Sequence, residues 1–270
     1  MRTPITLYII GYNEEANLRE LLPTVKWADE ILYVDSFSSD GTVKLCAENG
    51  VRHVDMAFEG FGKLRNLALS MATNDWIVSI DTDERATPEF AEEVRQTLVD
   101  PRHDAYFVPR HNTFLGRHVR FGGMYPDYRQ PQIFNRRKFR YREDMVHEGF
   151  DCEGSVGYFK SAIWQHPWPT MEVITAKGSR YTTLMAKRRL EQGRRAGILE
   201  LTVHPLAAFV KKYLLHQGFR DGMPGFLIAA IQAHYTFLKY AKLWELQQKR
   251  PPSTAKPAPP ASSPAAKIGS

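Results

Sequence analysis

Cysteine is scarce in this 270-residue chain: Cys46 and Cys152 are its only two. Their spacing makes no metal or redox motif, so they read as reduced packing thiols of a cytosolic protein. Long hydrophobic runs are missing too, and no stretch approaches the roughly 20 apolar residues that span a bilayer. The first apolar run, Ile5 to Ile10, is six residues long and leads directly into Gly11-Tyr12-Asn13-Glu14-Glu15. That is not the plan of a secretory signal, and the expectation is a chain that stays in the cytoplasm. Glycine-rich phosphate loops are also absent. The first strand-to-helix turn has no Gly-x-Gly-x-x-Gly, and no P-loop occurs anywhere. Carboxylates at that turn would repel a pyrophosphate, which argues against a dinucleotide site built on that helix start.

What is present is ordinary in bulk and unusual in distribution. Apolar content of 43% and charged content of 24% suit a soluble globular protein, and the length allows a sizeable core. The net charge of +6 conceals two halves of opposite sign. Residues 1–105 hold 10 Lys/Arg against 19 Asp/Glu, whereas residues 106–270 hold 26 against 11. Such an asymmetry suggests two tasks.

The acidic half alternates strand and helix signals. Ile5–Ile10, Glu30–Val34, Val51–Met56 and Trp76–Ile80 read as strands. Helices are expected from Asn13, as a cap, to about Val25, then over Thr42–Asn49, Lys63–Met71 and Pro88–Leu98. The alternation predicts an α/β fold with a parallel sheet and crossover helices. Beyond it, Tyr106–Pro109 and Gln132–Asn135 look like strands, residues 172–248 are mostly helical, and residues 251–270 are Pro-, Ala- and Ser-rich and read as disordered.

Chemistry gathers where the expected strands end. Asp81-Thr82-Asp83 closes the strand Trp76–Ile80, and alternate residues of an extended segment share a face. Two carboxylates there suit a hard divalent cation that can hold a diphosphate. Asp35 ends the second strand. It can accept hydrogen bonds from ribose hydroxyls or a base N–H, or it can cap its own turn, and both readings stand. Lys63 and Arg65 give the third helix a basic start. Together these features describe a nucleotide-diphosphate pocket on the carboxyl side of one sheet.

The stretches Ile9-Ile10-Gly11-Tyr12-Asn13-Glu14-Glu15, Val34-Asp35-Ser36-Phe37-Ser38-Ser39-Asp40-Gly41-Thr42, Gly62-Lys63-Leu64-Arg65-Asn66 and Ile80-Asp81-Thr82-Asp83-Glu84 resemble the family 2 glycosyltransferases of the GT-A fold. Val146-His147-Glu148, Gly218-Phe219-Arg220-Asp221-Gly222 and Gly225-Phe226 resemble the subgroup that includes lipopolysaccharide-core β-glucosyltransferases. The resemblance implies a Rossmann-like, mixed but mainly parallel sheet flanked by helices, with a C-terminal helical appendage. It implies that Asn13 and Glu15 border the base and ribose, that Asp35 binds one of them, and that Lys63 and Arg65 approach the diphosphate. Asp81 would contact the ribose or metal-bound water, and Asp83 would coordinate Mg²⁺ or Mn²⁺ with Asp81 beside it. The catalytic base would be Glu148 or Asp144. A late His completes the metal shell in some GT-A enzymes, but His166 lies between Trp164 and Trp168 and reads as a packed aromatic neighbour. It is left out of the metal set.

Four regions follow from this reading. Residues 1–105 form the nucleotide-sugar-binding half of the GT-A domain and 106–170 the acceptor-binding, catalytic half. Residues 171–250 form a basic helical region, and 251–270 a tail. The expected reaction is inverting transfer from a nucleotide-diphosphate sugar to a hydroxyl of a glycan or glycolipid, with lipopolysaccharide core as an acceptor class. From Arg110 to Arg142 nine Lys/Arg meet one acid, with aromatics interleaved. An anionic glycan or lipid acceptor accounts for that stretch, and no nucleic acid is expected. Residues 226–238 are apolar and followed by Lys239, Tyr240, Lys242 and Trp244. They fit a helix lying on the anionic inner leaflet, or equally a buried or dimer-forming helix. A nucleotidyltransferase and a non-catalytic module for nucleic acid or acidic lipid are the competing classes.

Overall fold

The computed structural model describes residues 2–143 and 149–248. The first strand, β1 (Ile5–Gly11), is buried along its length apart from half-buried Gly11. It lies between β2 (Glu30–Asp35) and β4 (Trp76–Ser79), with β3 (Arg52–Asp55) outside β2. All three pairings are parallel. Strands covered on both faces read as unbroken apolar runs, which is why these were visible in the sequence.

Alternation sorts the two faces. Ile5, Leu7 and Ile9 pack with Leu18, Leu21, Leu22 and Val25 of α1 (Glu15–Val25) and with Phe90 and Val94 of α4 (Pro88–Thr97). Tyr8 and Ile10 turn to the opposite face, against Leu64, Ala68 and Leu69 of α3 (Phe61–Met71). The remaining early helix, α2, spans Thr42–Glu48.

Asn13 does not cap α1 as expected. The residue before the helix is Glu14, with no side-chain cap bond. Asn13 instead takes a left-handed backbone, φ 54°, and its Oδ1 accepts from Ser39 N at 2.8 Å. Glu14 N donates to Thr42 Oγ1 at 3.0 Å. The turns after β1 and β2 are thereby joined to each other.

The second half completes the same sheet. The order is β12-β6-β9-β4-β1-β2-β3, where β6 is Ala105–Phe107, β9 is Ile133–Asn135 and β12 is Val156–Tyr158. Only β9 runs against its neighbours β4 and β6, so the sheet is mixed and mainly parallel, as expected. A four-stranded sheet lies beside it in the order β5-β13-β7-β8. Its members are β5 (Glu84–Arg85), β7 (Arg110–Phe114), β8 (Arg117–Val119) and β13 (Ile163–Trp168). The pair β10 (Phe139–Tyr141) and β11 (Phe150–Cys152) packs over α3, where the Asn66 side chain bonds to both main-chain polar groups of Tyr141.

The C-terminal helices are α5 (Met171–Glu191), α6 (Ile198–Val210) and α7 (Met223–Gln248). α7 buries Ile228, Ala229, Thr236, Tyr240 and Leu243. Its Tyr235 hydroxyl donates to the Ile174 carbonyl of α5, and its Tyr240 hydroxyl lies 2.9 Å from His204 Nδ1 of α6. The apolar run 226–238 is thus the packing helix of the appendage. No helix among the described residues is long and apolar enough to cross a membrane.

Candidate active site

Parallel register brings Gly11, Asp35 and Asp55 to one edge of the sheet, and the segment after β4 delivers Asp81 and Asp83 there. Arg65, 5% exposed, reaches this edge from α3. Its guanidinium donates to Asp81 Oδ1 at 2.9 Å, Ser79 Oγ at 3.0 Å and Tyr8 Oη at 3.3 Å. Arg65 therefore orients Asp81 from below. Burial favours the neutral acid at Asp81, but the Arg65 charge outweighs it, helped by Arg110 and Arg129, and the carboxyl titrates below its ordinary range.

Asp83 has the opposite electrostatics. Burial and the neighbouring Asp81 charge push its carboxyl up. Its nearest side-chain donor is Gln165 Nε2 at 3.4 Å, and among the described residues it has no ion pair. The third acid, Glu84, ends the same motif. It is fully buried and accepts from Arg110 Nε at 2.7 Å, Gln132 Nε2 at 2.9 Å and the Asp81 amide at 2.9 Å. Burial, with the Asp81 and Asp83 charges, pushes Glu84 up to about 7 against the pull of Arg110. Only the fold could reveal this, because Arg110 and Gln132 arrive from β7 and from the residue before β9.

Asp35 is fully buried and occupied locally: it accepts from Ser38 N at 2.9 Å and from Ser38 Oγ. His53 Nε2 lies 3.4 Å from Asp35 Oδ2 and 3.4 Å from Asp55 Oδ1. The ligating atoms of Asp35, His53 and Asp55 all fall within 4.8 Å of one another, so this group also has the donors for a cation. Sequence reading missed it, since His53 and Asp55 meet Asp35 only through the β2–β3 register.

The other expected positions sit as follows. Asn13 is on the exposed turn bonded to Ser39. Glu15 accepts from Gly41 N at 3.1 Å and pairs with Arg19 at 2.8 Å. Lys63 pairs with Glu59 at 2.8 Å in the first turn of α3. His166 Nδ1 lies 2.8 Å from Thr113 Oγ1, and its ring is parallel to Trp164 at 6.5 Å. Asp144 and Glu148 lie outside the described residues. Opposite the acids, Asp127 accepts from Arg129 at 2.8 Å and Asn112 at 3.0 Å, and Arg129 and Lys177 both act on Asp83 electrostatically.

Known proteins are similar to this chain. The lipopolysaccharide core biosynthesis glycosyltransferase LpsC of Rhizobium meliloti (strain 1021) is 29% identical over 256 residues, covering 90% of this chain and 93% of its own. The mannosyltransferase PcManGT from Pyrobaculum calidifontis, solved with GDP-Man and Mn²⁺, matches with a TM-score of 0.53 at 15% identity, over 93% of this chain and 89% of its own. S. aureus TarS 1–349, solved with UDP-GlcNAc, matches with a TM-score of 0.50 at 15% identity, over 91% and 92%. The two structures share the GT-A fold with this chain. A family model described as "Glycosyl transferase family 2" spans residues 6–166. All four acidic and basic motifs at the sheet edge fall inside that span, and the chain belongs to glycosyl transferase family 2.

Proposed function

We propose that this glycosyltransferase moves a sugar, with inversion, from a nucleotide-diphosphate sugar to a hydroxyl of a glycan or glycolipid. The likeness to LpsC favours lipopolysaccharide core as the acceptor class. Asp83 carries the reading: a half-buried carboxylate at the carboxyl edge of the sheet, beside a second carboxylate, with no ion pair among the described residues. Such an acid is destabilised unless a cation meets it, so Mg²⁺ or Mn²⁺ fits this position. Asp83 and Asp81 would hold the ion, which supplies Lewis-acid stabilisation of the departing diphosphate when bound. The Asp35–His53–Asp55 group is the second place with suitable donors.

The remaining residues take the following roles in this reading. Asn13, Glu15 and Asp35 flank the base and ribose. Lys63 lies toward the diphosphate, and Arg65 acts there through the Asp81 carboxylate that it orients. The carboxylate of Glu148 or Asp144 removes the acceptor proton as the hydroxyl oxygen bonds to the anomeric carbon. The carbon–oxygen bond to phosphate breaks on the opposite face, and its electron pair leaves with the nucleoside diphosphate. General base assistance is typically worth about 10²–10⁴-fold. We place the enzyme in the cytoplasm at the inner face of the membrane, where glycolipid acceptors are within reach.

Radiolabelled transfer and donor titration test this. Asp83→Ala should abolish metal-dependent transfer, and Glu148→Gln should keep donor binding while turnover collapses. Full activity in both variants would end the assignment.

A further inference from the structure

We propose that the outer face of α6, together with the turn that follows it, is the surface by which the protein docks on an anionic lipid bilayer. The proposal rests on the membrane placement above and assigns it to particular residues. Nine of the thirteen residues of α6, ILELTVHPLAAFV, are apolar, and none is buried. Leu199, Val203 and Leu206 follow the i, i+4, i+7 spacing of one helix face, and all three are exposed. Ile198 at the helix start is 78% exposed, Leu206 is 65% exposed, and Leu215 in the next turn is 74% exposed. Isolated exposed apolar residues are normal, but a contiguous ridge marks an interaction surface.

Charge selects the occupant. Exposed Arg194 and Arg195 precede α6, while exposed Lys211 and Arg220 follow it. The one acid between residues 194 and 220, Glu200, accepts from the Gly197 amide at 2.8 Å at the helix start. An apolar ridge with a basic rim complements acyl chains bordered by anionic headgroups. A symmetric dimer through this face would set like charges against each other. Residues 251–270 hold one large aliphatic residue, Ile268, and no aromatic, too little apolar surface to cover the ridge.

The location also suits the reaction. Gly122 N donates to the His216 carbonyl at 2.8 Å, and Asp221 accepts from the amides of Arg120 and Phe121. The docking segment is thus bonded directly to the basic loop after β8, which leads to Asp127 and Arg129.

Sedimentation of the full chain with vesicles tests the assignment. Vesicles of equal parts phosphatidylglycerol and phosphatidylcholine are compared with phosphatidylcholine alone. The wild type should favour the anionic vesicles by about tenfold or more, and the preference should fade as salt rises. Leu206→Glu with Leu215→Glu should weaken binding by about tenfold or more, because each Leu loses its burial. Arg194→Glu with Arg195→Glu should weaken it by about fivefold or more per charge. Circular dichroism and donor hydrolysis in solution should stay at wild-type values in both variants, which separates a failure of docking from a failure of the catalytic reading. Wild-type-like binding of the Leu variant, or no binding of the wild type to either vesicle, would overturn the proposal. So would a wild-type dimer in light scattering that dissociates in the Leu variant, since it would give the face to a second copy.

Discussion

Arg65 shows how a single side chain sets the chemistry of its neighbours. A planar fork that bonds Asp81, Ser79 and Tyr8 together cannot be replaced by a point charge. Arg65→Ala should cost about 2 kcal/mol in chemical denaturation, since it leaves Asp81, whose side chain is 37% exposed and so partly screened by water, without its partner, and Arg65→Lys should cost less than Arg65→Ala. A loss under half of that in Arg65→Ala would show that Asp81 does not depend on it. Asp83 and Glu84 behave differently, because both carboxyls are pushed up in the folded state. They bind protons more tightly folded than unfolded. Stability should therefore decline as pH rises from the ordinary carboxylate range, about 4, toward about 7. Asp81 works in the other direction: its contribution is present at neutral pH and is lost as pH falls through its depressed pKa. Asp83→Asn removes one acid and part of the repulsion on Glu84. Its melting temperature without divalent cations should exceed that of the wild type at neutral pH, and its decline with pH should be shallower. Parallel curves for the two proteins would contradict this electrostatic picture.

Among the elements, legibility followed apolar pattern: β6 and β9 were visible at three residues, while β7 and β13, at five and six residues but rich in polar ones, were not. The four apolar or alternating runs of the first half, five or six residues each as read, gave β1 to β4 within a residue at each end. Strands of two or three residues, such as β5, β8, β10 and β11, show no period and owe their conformation to pairing partners. The helical character of residues 172–248 was plain, but the division of labour among the helices was not. The run in α7 reads equally as an interfacial or a packing helix, and it packs against α5 and α6, while α6 carries the exposed ridge. The junction between them depends on a close approach at Gly225, where an added Cβ would lie 1.8 Å from the Gly218 carbonyl oxygen. Gly225→Ala should lower stability by about 1–3 kcal/mol in thermal unfolding. An unchanged melting temperature would mean that the turn at Gly218–Asp221 yields freely.

For the whole molecule, the division into an acidic and a basic half has a spatial meaning. Four acids of residues 1–105, Asp35, Asp55, Asp81 and Asp83, lie at the edge of the sheet, and cations from later segments, Arg110, Arg129 and Lys177, act on Asp81 and Asp83. A nucleoside diphosphate with Mn²⁺ should bind between the two sets and raise the melting temperature. The stabilisation should reach about 2.7 kcal/mol at a hundredfold excess over Kd. Neither component alone should match the pair in a thermal-shift titration, and an equal shift from nucleotide alone would argue against metal at Asp83.

By itself the sequence determined the order of strands and helices in the first half, the family, and the acidic motifs at strand ends. These are local properties, written in hydrophobic period and in residue types at fixed short spacings. The tertiary structure alone decided which groups meet across the chain: His53 and Asp55 with Asp35, Arg110 and Gln132 with Glu84, Arg65 with Asp81, and α6 left facing outward. Such contacts arise from register and packing between segments far apart in sequence, and the charge state of a carboxyl follows from the neighbours that packing supplies.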